Sequence, residues 1–417
     1  MAEITRRNWL ALGAATLAGA AACRSPASAA PVATSGALAS LPDRASFGLG
    51  EGVYLNAGSQ HPISHPARAS IEAYLDHRAE HAPGGSYELD SSGAIEKFAR
   101  LVNADPDELS FVQSTTTAEQ MIVRSLMLPQ SGARIVTDTL HFFGSVPLYL
   151  ELEKAGCDVA WVKHRDGRIA LEDMDRAITP GTRLVALSLV STINGFQHDL
   201  KAICDLAHSR GALVYADIIH AAGCIPVDLH ATDVDFAACA SYKWLMGDFG
   251  LGFLYVRKGA REALTRTQYG YYGISSFTSH VYQFDTPGED VASYGFADTA
   301  TGLFALGTYS HTTVALLNAS LGYIAALGVD AIQQHAVTLT TRLKEGLQSQ
   351  GYTLMTPEDC ATPLVACSYQ DARTRLGPKL KAASITTTVS AHRFRPSVSV
   401  FNTAGDIDYF LATIGPA

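Results

Sequence analysis

The sequence has 417 residues, of which 47% are hydrophobic and 17% are charged. This composition excludes a disordered chain and a coiled coil, and it provides material for a large buried core. The formal net charge of −9 comes without any run of lysine or arginine, which excludes an electrostatic binder of nucleic acid or anionic lipid.

The first thirty residues have the pattern of an export signal. Arg6 and Arg7 precede a short apolar stretch over residues 10–22, and Ala27-Ser28-Ala29 offers small residues to a signal peptidase. The stretch is too short for a permanent membrane span, and paired arginines before apolar residues are typical of the twin-arginine pathway. We predict a removable twin-arginine export signal over residues 1–30.

The predicted signal makes the protein periplasmic or otherwise exported, with the twin-arginine translocation machinery as a partner. An ordinary signal peptide with two incidental arginines is the alternative. Cys23 is not expected to carry a lipid anchor, because Ala20-Ala21-Ala22 lacks the usual leucine three residues before it. The six later cysteines form no C-x-x-C pair, which indicates folding in a reducing compartment before export.

After an Ala-, Ser-, Pro- and Gly-rich tether over residues 31–50, short apolar runs alternate with helical patterns. Such alternation predicts βαβ units and a mostly parallel sheet. The predicted strands are Leu109–Val112, Arg134–Thr137, Asp158–Val162, Arg183–Leu189, Ala212–Ala216 and Leu251–Val256. The predicted helices are Thr117–Met127, Val146–Ala155, Leu171–Ile178 and Leu200–Ser209, the last of them capped by Asp199.

The pattern changes near residue 308 from alternating strands and helices to longer helices. The elements predicted beyond it are helices Val314–Leu327 and Ala331–Gln348 and strands Leu364–Cys367 and Ile385–Val389. We therefore predict an α/β protein with a large, mostly parallel-sheet domain over residues 51–310 and a smaller carboxyl-terminal α+β domain over 311–417.

Three polar segments lie where a parallel sheet binds ligands. Lys243 stands in an apolar stretch, where a charged ammonium is costly, and a desolvated lysine is a candidate Schiff-base former. Asp217 ends an apolar strand, and a carboxylate at that edge can keep a pyridine nitrogen protonated. The hydroxyl-rich residues 114–117 open a helix, whose amides and dipole suit a phosphate. Singly these are ordinary structural features, but together they predict a cofactor site.

In this order the segments resemble the class V aminotransferases, which are fold-type I enzymes dependent on pyridoxal 5′-phosphate (PLP). The resemblance spans roughly residues 50–415. Its strongest block contains Asp217-Ile218-Ile219-His220 and Ser241-Tyr242-Lys243-Trp244, and it is similar to the isopenicillin N epimerase-like and kynureninase-like branch. The resemblance implies PLP as cofactor and the fold-type I architecture, without a metal.

The resemblance also implies roles for the residues that match. Lys243 forms the internal aldimine with PLP, Asp217 pairs with the pyridine nitrogen, and His220 lies near the phenolic oxygen. The remaining implied cofactor contacts are Thr116, Thr117, Ser241 and Tyr242 at the phosphate, His141 or Phe142 as the stacking ring, and Thr192 or Asn194 at the ring oxygen.

Substrate and subunit contacts are implied in the same way. Arg395, with Arg393 as the competing choice, matches the arginine that binds a substrate carboxylate, for which a planar guanidinium is well suited. Asn56 matches the amino-terminal substrate-side segment. Thr308 matches a residue that family members contribute to the partner subunit's phosphate, which implies a homodimer.

The implied function is a PLP-dependent reaction, most closely of the aminotransferase type, on an amino acid, peptide or secondary metabolite, through an external aldimine and a quinonoid. An epimerase or a C–S or C–C lyase of the same family is the alternative. A cysteine desulfurase is disfavoured, because Cys360 and Cys367 do not lie in the context of its mobile nucleophile. A catalytically idle binding protein that keeps the fold is the alternative from another class.

Overall fold

The structure is a computed structural model, and it describes residues 40–80 and 90–417. The predicted export signal, Cys23 and the first part of the predicted tether lie outside the described residues. Within the described residues, no single helix is long and apolar enough to cross a membrane. The pair His311–Leu327 and Val329–Ser349 reaches the required length only together and is bent by 76°.

The part of the predicted tether that the structure describes packs against the rest of the protein. Phe47 is buried, and its ring centroid lies 5.1 Å from that of Phe401 and 5.5 Å from that of His61. Asp43 accepts a 2.8 Å hydrogen bond from the hydroxyl of Tyr323. Residues 40–50 are therefore held by an apolar anchor and a polar contact, which their composition alone does not reveal.

Fourteen strands lie in the described residues, and their bounds confirm most of the predicted ones to within two residues. They are β1 Val53–Leu55, β2 Leu109–Val112, β3 Arg134–Asp138, β4 Asp158–Val162, β5 Thr182–Ser188, β6 Leu213–Asp217, β7 Phe236–Ala240, β8 Gly252–Val256, β9 Ile274–Ser279, β10 Ala292–Phe296, β11 Thr353–Leu354, β12 Cys367–Ser368, β13 Ile385–Val389 and β14 Arg393–Arg395. The predicted strand over 364–367 is wrong except at Cys367, because Leu364 makes only an isolated bridge to Ser397.

Twelve α-helices accompany these strands in the described part of the chain. They are α1 His65–Glu80, α2 Ser91–Val102, α3 Thr115–Ser125, α4 Val146–Lys154, α5 Leu171–Ala177, α6 Leu200–His208, α7 Leu229–Thr232, α8 Ala300–Phe304, α9 His311–Leu327, α10 Val329–Ser349, α11 Ala372–Ala382 and α12 Ala404–Ile414. Helix α3 begins earlier than predicted because Ser114 caps it, accepting the N–H of Thr117 at 3.1 Å. Asp199 caps α6 as predicted.

Seven strands form the main sheet, in the order β2-β8-β7-β6-β5-β3-β4. Strand β8 is antiparallel to both of its neighbours, and the other pairs are parallel, which confirms the mostly parallel sheet. Hydrophobic clusters cover both faces, since Phe253 and Tyr255 of β8 pack in one cluster and Leu254 packs in the other. Because β2 and β7 are both antiparallel to β8, β2 runs in the same direction as the other parallel strands, and six strands end at one edge of the sheet.

A second sheet has the order β1-β13-β14-β12-β11, and β9 and β10 form a separate hairpin. Strand β1 pairs in parallel with β13, so residues from near the start of the folded chain complete the sheet built from the carboxyl-terminal part. The division into domains at residue 310 stays a prediction, and helix α9 begins at His311. Strand β14 lies inside this second sheet, between β13 and β12.

Candidate active site

The carboxyl edge of the main sheet gathers three of the residues singled out in the sequence. Asp217 ends β6, Lys243 follows β7 by three residues, and His220 stands in the turn after β6. All three are buried, with exposed fractions of 4%, 6% and 2%, respectively. A parallel sheet collects ligand-binding groups at this edge, so the topology explains why distant positions meet here.

Lys243 is held by a hydrogen bond to His220. Its Nζ atom lies 2.9 Å from Nε2 of His220, whereas Nδ1 of the same ring accepts the indole N–H of Trp244 at 3.3 Å. The two segments pack closely, because a Cβ on Gly223, whose φ is +91°, would lie 2.5 Å from the carbonyl oxygen of Trp244. The indole N–H can only donate, so Nδ1 of His220 carries no proton.

The two hydrogen bonds of the His220 ring indicate which protonation state of the lysine their geometry favours. A neutral imidazole that accepts at Nδ1 carries its proton on Nε2, which then donates to Nζ of Lys243. In this contact Nζ must offer a lone pair, so the contact favours the neutral form of Lys243, whose share grows as the pH rises through the pKa of the amine. Burial lowers the pKa of Lys243 from 10.5 to about 8, and burial together with nearby positive charge holds the pKa of His220 well below its ordinary value.

Asp217 is a buried carboxylate without an ion-pair partner among the described residues. Its Oδ1 atom accepts the backbone N–H of Ile219 at 2.9 Å. Burial raises the pKa of Asp217 to about 6, although the N–H of Ile219 and the charges at Lys243 and His141 oppose that rise. A carboxylate in such surroundings is stabilised by any cation placed beside it.

His141 belongs to a second buried cluster at the same edge. Its Nδ1 lies 2.9 Å from Oγ of Ser188, at the end of β5, and its Nε2 lies 2.9 Å from Oε1 of Glu119 on α3. Burial opposes protonation of His141, but the charge and hydrogen bond of Glu119, together with the charges of Asp138 and Asp217, outweigh it and raise the pKa of the imidazole. The carboxylate of Glu119 also accepts the hydroxyls of Tyr149 at 2.6 Å and Ser145 at 2.5 Å.

Arg395 lies on β14 of the second sheet and is 5% exposed. Its Nη1 donates to the carbonyl oxygen and to Oγ1 of Thr192, at 2.6 and 2.5 Å, and its Nη2 donates to Ser59 at 3.0 Å. Its Nε is buried without a partner, and among the described residues no carboxylate pairs with this guanidinium. Burial lowers the pKa of Arg395 to about 10, and the charge of Arg393 adds to the effect.

The two residues implied at the ring oxygen make different contacts in the loop between β5 and α6. Thr192 reaches Arg395, whereas the Asn194 amide donates to the carbonyls of Gly167 at 2.7 Å and Met355 at 3.2 Å. Asn194 also accepts the backbone N–H of Phe196 at 3.1 Å. Thr192 therefore faces the arginine, and Asn194 ties the loop to neighbouring segments.

Asn56 reaches the arginine only through another side chain. Its Oδ1 accepts the hydroxyl of Thr388 at 2.7 Å, and the same hydroxyl lies 3.3 Å from Nη2 of Arg395. Asn56 is thus positioned one contact behind the carboxylate-binding side chain that the resemblance implies. Arg393 donates instead to the carbonyl of Ile193 at 3.3 Å.

The residues implied at the phosphate lie at two places. Thr116 and Thr117 begin α3, and Thr117 lines a cavity of about 550 Å³ together with Gln113 and the exposed Thr308 of the same chain. Ser241 instead donates its hydroxyl to the carbonyl of Asp248 at 2.6 Å.

Tyr242 stacks on Phe249, with ring centroids 4.5 Å apart, and the Nζ of Lys243 lies 5.6 Å from the Tyr242 ring centroid. Phe142 packs against Phe143, with ring centroids 4.7 Å apart. Of the two candidates for the stacking ring, His141 is the one joined by hydrogen bonds to the carboxyl edge.

Sequence reasoning missed Glu119 and Trp244. A usable indication existed for Glu119, because it stands between Ala118 and Ile122 on the buried face of α3, where a carboxylate is unexpected. Trp244 follows the lysine directly and looks like an ordinary core residue, so only its contact with His220 reveals a role.

Comparisons with known proteins were made for the sequence and for the structure. The profile of the family Aminotransferase class-V matches residues 69–410. The chain is 28% identical over 312 residues to the probable cysteine desulfurase of Methanothermobacter thermautotrophicus, covering 72% of this chain and 74% of that protein. It is 25% identical over 357 residues to an uncharacterized aminotransferase of Bacillus subtilis, covering 85% and 92%.

Solved structures share the fold over nearly the whole described chain. The apo structure of a cysteine desulfurase from Thermococcus onnurineus NA1 superposes with a TM-score of 0.77 at 21% identity, covering 90% of this chain and 97% of that chain. The cystine C-S lyase C-DES, in complex with its reaction product cysteine persulfide, gives 0.77 at 19% identity, covering 88% and 98%.

Proposed function

Since this chain belongs to the class V aminotransferase family and is a PLP-dependent enzyme, we propose that it carries out an aminotransferase-type reaction on a small amine substrate that bears a carboxylate. The observation that carries the carboxylate is Arg395. A buried guanidinium with an orphaned Nε and no acidic partner among the described residues is costly unless an anion binds it.

The residues present fit the cofactor. Asp217 is a buried carboxylate that lacks a cationic partner in the described structure, which suits a protonated pyridine nitrogen. Lys243 is a buried amine whose pKa is lowered to about 8, which suits covalent attachment to an aldehyde. The amino terminus of α3, with Thr116 and Thr117, suits a phosphate. When bound, PLP supplies an electron-withdrawing ring that makes bonds to the α-carbon of the substrate labile.

The side chains of the site have three further roles: they bind the substrate, transfer a proton and set the charge near Asp217. Arg395 binds the substrate carboxylate and fixes its orientation, while Thr192 and Ser59 hold the guanidinium in place. Lys243, with its lone pair at Nζ, accepts the α-proton of the substrate and returns it. Glu119 favours the protonated form of His141, which lies within electrostatic reach of Asp217.

The cysteines of the described chain argue against a desulfurase. Relatives of this chain include proteins named as desulfurases. In cysteine chemistry the thiolate is the reactive form. Burial raises the thiol pKa at five positions, namely Cys204, Cys224, Cys239, Cys360 and Cys367. Among the six cysteines of the described chain only Cys360 is partly exposed, so none has the character of an exposed, activated nucleophile.

Half-reaction spectroscopy tests the proposal. The purified holoenzyme is mixed with a panel of amino acids and small peptides, without any amino acceptor, and its visible absorbance is followed. Loss of the PLP absorbance with formation of pyridoxamine phosphate supports transamination. Retained PLP with release of sulfide or ammonia, or with exchange of the α-proton alone, would show that the lyase or epimerase alternative is correct.

We further propose that the enzyme is a homodimer formed through the hairpin β9–β10 and its neighbouring segments. An isolated two-stranded hairpin is marginally stable, yet this one exposes Phe277 and Tyr294, and Phe284 between its strands is 94% exposed. A second copy of the chain is the occupant that the resemblance at Thr308 implies. Sedimentation at micromolar concentration should give twice the chain mass, and Phe284→Asp with Tyr294→Asp should give monomers.

A further inference from the structure

Two arginines stand side by side on strand β14. Arg393 and Arg395 are separated by one residue, so their side chains leave the same face of the strand, while Phe394 is buried in the core on the other. Both guanidinium groups reach the loop between β5 and α6. Arg393 donates to the carbonyl of Ile193 at 3.3 Å, and Arg395 donates to the carbonyl of Thr192 at 2.6 Å.

Neither positive charge is neutralised by the described protein. Elsewhere, partly buried arginines pair with carboxylates, as Arg257 does with Asp235 and Arg261 with Asp107. Within the described residues, Arg393 and Arg395 take part in no ion pair, and Arg393 makes a single side-chain hydrogen bond. The two like charges also disfavour each other, since burial and then Arg393 lower the pKa of Arg395.

We propose that the substrate carries two acidic groups, with Arg395 binding its α-carboxylate and Arg393 binding a second acid on the side chain. This inference rests on the proposed function and specifies its substrate class. One anionic group could neutralise only one guanidinium, whereas a dicarboxylic amino acid would neutralise both. Positions i and i+2 of a strand are about 6.6 Å apart, a spacing that an acidic side chain of the aspartate or glutamate kind can bridge.

Partial burial should strengthen the contact between Arg393 and the second acid of the substrate. Arg393 is half-buried, and burial lowers the pKa of its guanidinium, so an acid bound there is shielded from water. A charge-assisted hydrogen bond of this kind changes affinity by about 10- to 100-fold. The holoenzyme should therefore prefer aspartate and glutamate over alanine and norvaline by about that factor in KM.

The matched variants are Arg393→Gln and Arg375→Gln, the latter an arginine that lies over the ring of Tyr369 away from this site. Arg393→Gln should raise KM for the acidic amino acids about 10- to 100-fold and leave KM for the neutral ones unchanged. Arg393→Lys should recover part of the preference, and Arg375→Gln should change neither class. Equal KM changes for both classes, or no preference in the unaltered enzyme, would overturn the proposal.

A binding measurement separates this inference from the proposed reaction. Succinate and glutarate, which have no amino group, should protect the holoenzyme against heat at lower concentration than propionate and butyrate do. The difference should vanish in Arg393→Gln. If that difference is present while no amino acid converts the cofactor, the aminotransferase proposal fails and the two-acid site stands; if the difference is missing, the two-acid site is wrong whatever the reaction.

Discussion

His220 and Lys243 meet with 2.9 Å between Nε2 and Nζ, and the imidazole in that contact is the donor. Trp244 enforces this direction, because its indole N–H takes the only other ring nitrogen as an acceptor. This contact therefore favours the neutral form of the lysine, which has a lone pair available, in the folded protein before any cofactor arrives. A charged ammonium could only donate to Nε2, so the imidazole proton would have to move to Nδ1, where it would face the indole N–H of Trp244. The ammonium would also lie in a buried, water-poor site.

Cofactor attachment should follow the neutral fraction of Lys243. Because burial lowers the pKa of Lys243 to about 8, the rate at which cofactor-free protein binds PLP covalently should rise about tenfold per pH unit below 8 and level off above it. Timed borohydride reduction followed by peptide mass spectrometry measures the rate. Lys344→Ala, at another buried lysine, should leave the profile unchanged, and a rate still rising near pH 10 would contradict the assignment.

Replacing Trp244 by phenylalanine should move that pH profile. Trp244→Phe keeps an aromatic ring in the core but removes the N–H that holds His220 in one tautomer. Nε2 can then accept from the charged ammonium, so the midpoint should rise by about the half to one unit that one hydrogen bond is worth. Trp161→Phe is the matched control. An unchanged midpoint in Trp244→Phe would show that the indole does not set the tautomer.

Glu119→Gln should lower the pKa of His141. The glutamine keeps nearly the same shape, but its single amide oxygen can replace only one of the two carboxylate oxygens that accept from Tyr149 and Ser145. It also removes the negative charge that raises the pKa of the imidazole. The pKa of His141, followed by NMR of histidine-labelled protein, should therefore fall. The expected loss in stability is about 1–3 kcal/mol, because a buried polar cluster loses its charged acceptor. A histidine pKa that does not move would mean that Glu119 is only a packing element.

His61 should make the fold sensitive to mild acid. It is buried, its Nε2 contacts Ser399 at 2.7 Å, and burial lowers its pKa from 6.5 to about 4. The unfolded chain then binds more protons between these values, so stability is present above pH 6.5 and is lost as the pH falls. Urea unfolding should show about 2 kcal/mol less stability at pH 5 than at pH 7 relative to His61→Gln, given the 6.5-to-4 shift. Parallel pH curves for the two proteins would refute this.

Export should depend on the paired arginines of the predicted signal, because the pathway they specify carries folded proteins. Arg6→Lys with Arg7→Lys should leave active, PLP-loaded protein in the cytoplasm, whereas we expect the unaltered chain mainly outside it. Cell fractionation with a cofactor-absorbance assay measures the distribution. An unchanged distribution would indicate an ordinary signal peptide, and Arg24→Lys serves as the control substitution in the same region.

The sequence by itself determined the parts of this protein that depend on local pattern. Alternating apolar runs and helical faces predicted most strands of the main sheet, since each run must bury its own side chains whatever its partners are. Asp217 and Lys243 could be identified because a charged group at the end of an apolar run is unusual in any fold. The hairpin β9–β10 was missed, since its exposed strands carry no burial pattern.

Only the tertiary structure decided which side chains touch. Arg395 meets Thr192 across 203 positions of sequence, and Glu119 meets His141 across 22, and no local pattern encodes such pairings. The different contacts of Thr192 and Asn194 also came from the fold, because in the loop between β5 and α6 one side chain reaches Arg395 and the other is tied to neighbouring segments. The pKa values followed the same rule: burial at the packed sheet edge lowers the pKa of Lys243 to about 8, and contact with Glu119 helps to raise the pKa of His141 against the effect of burial.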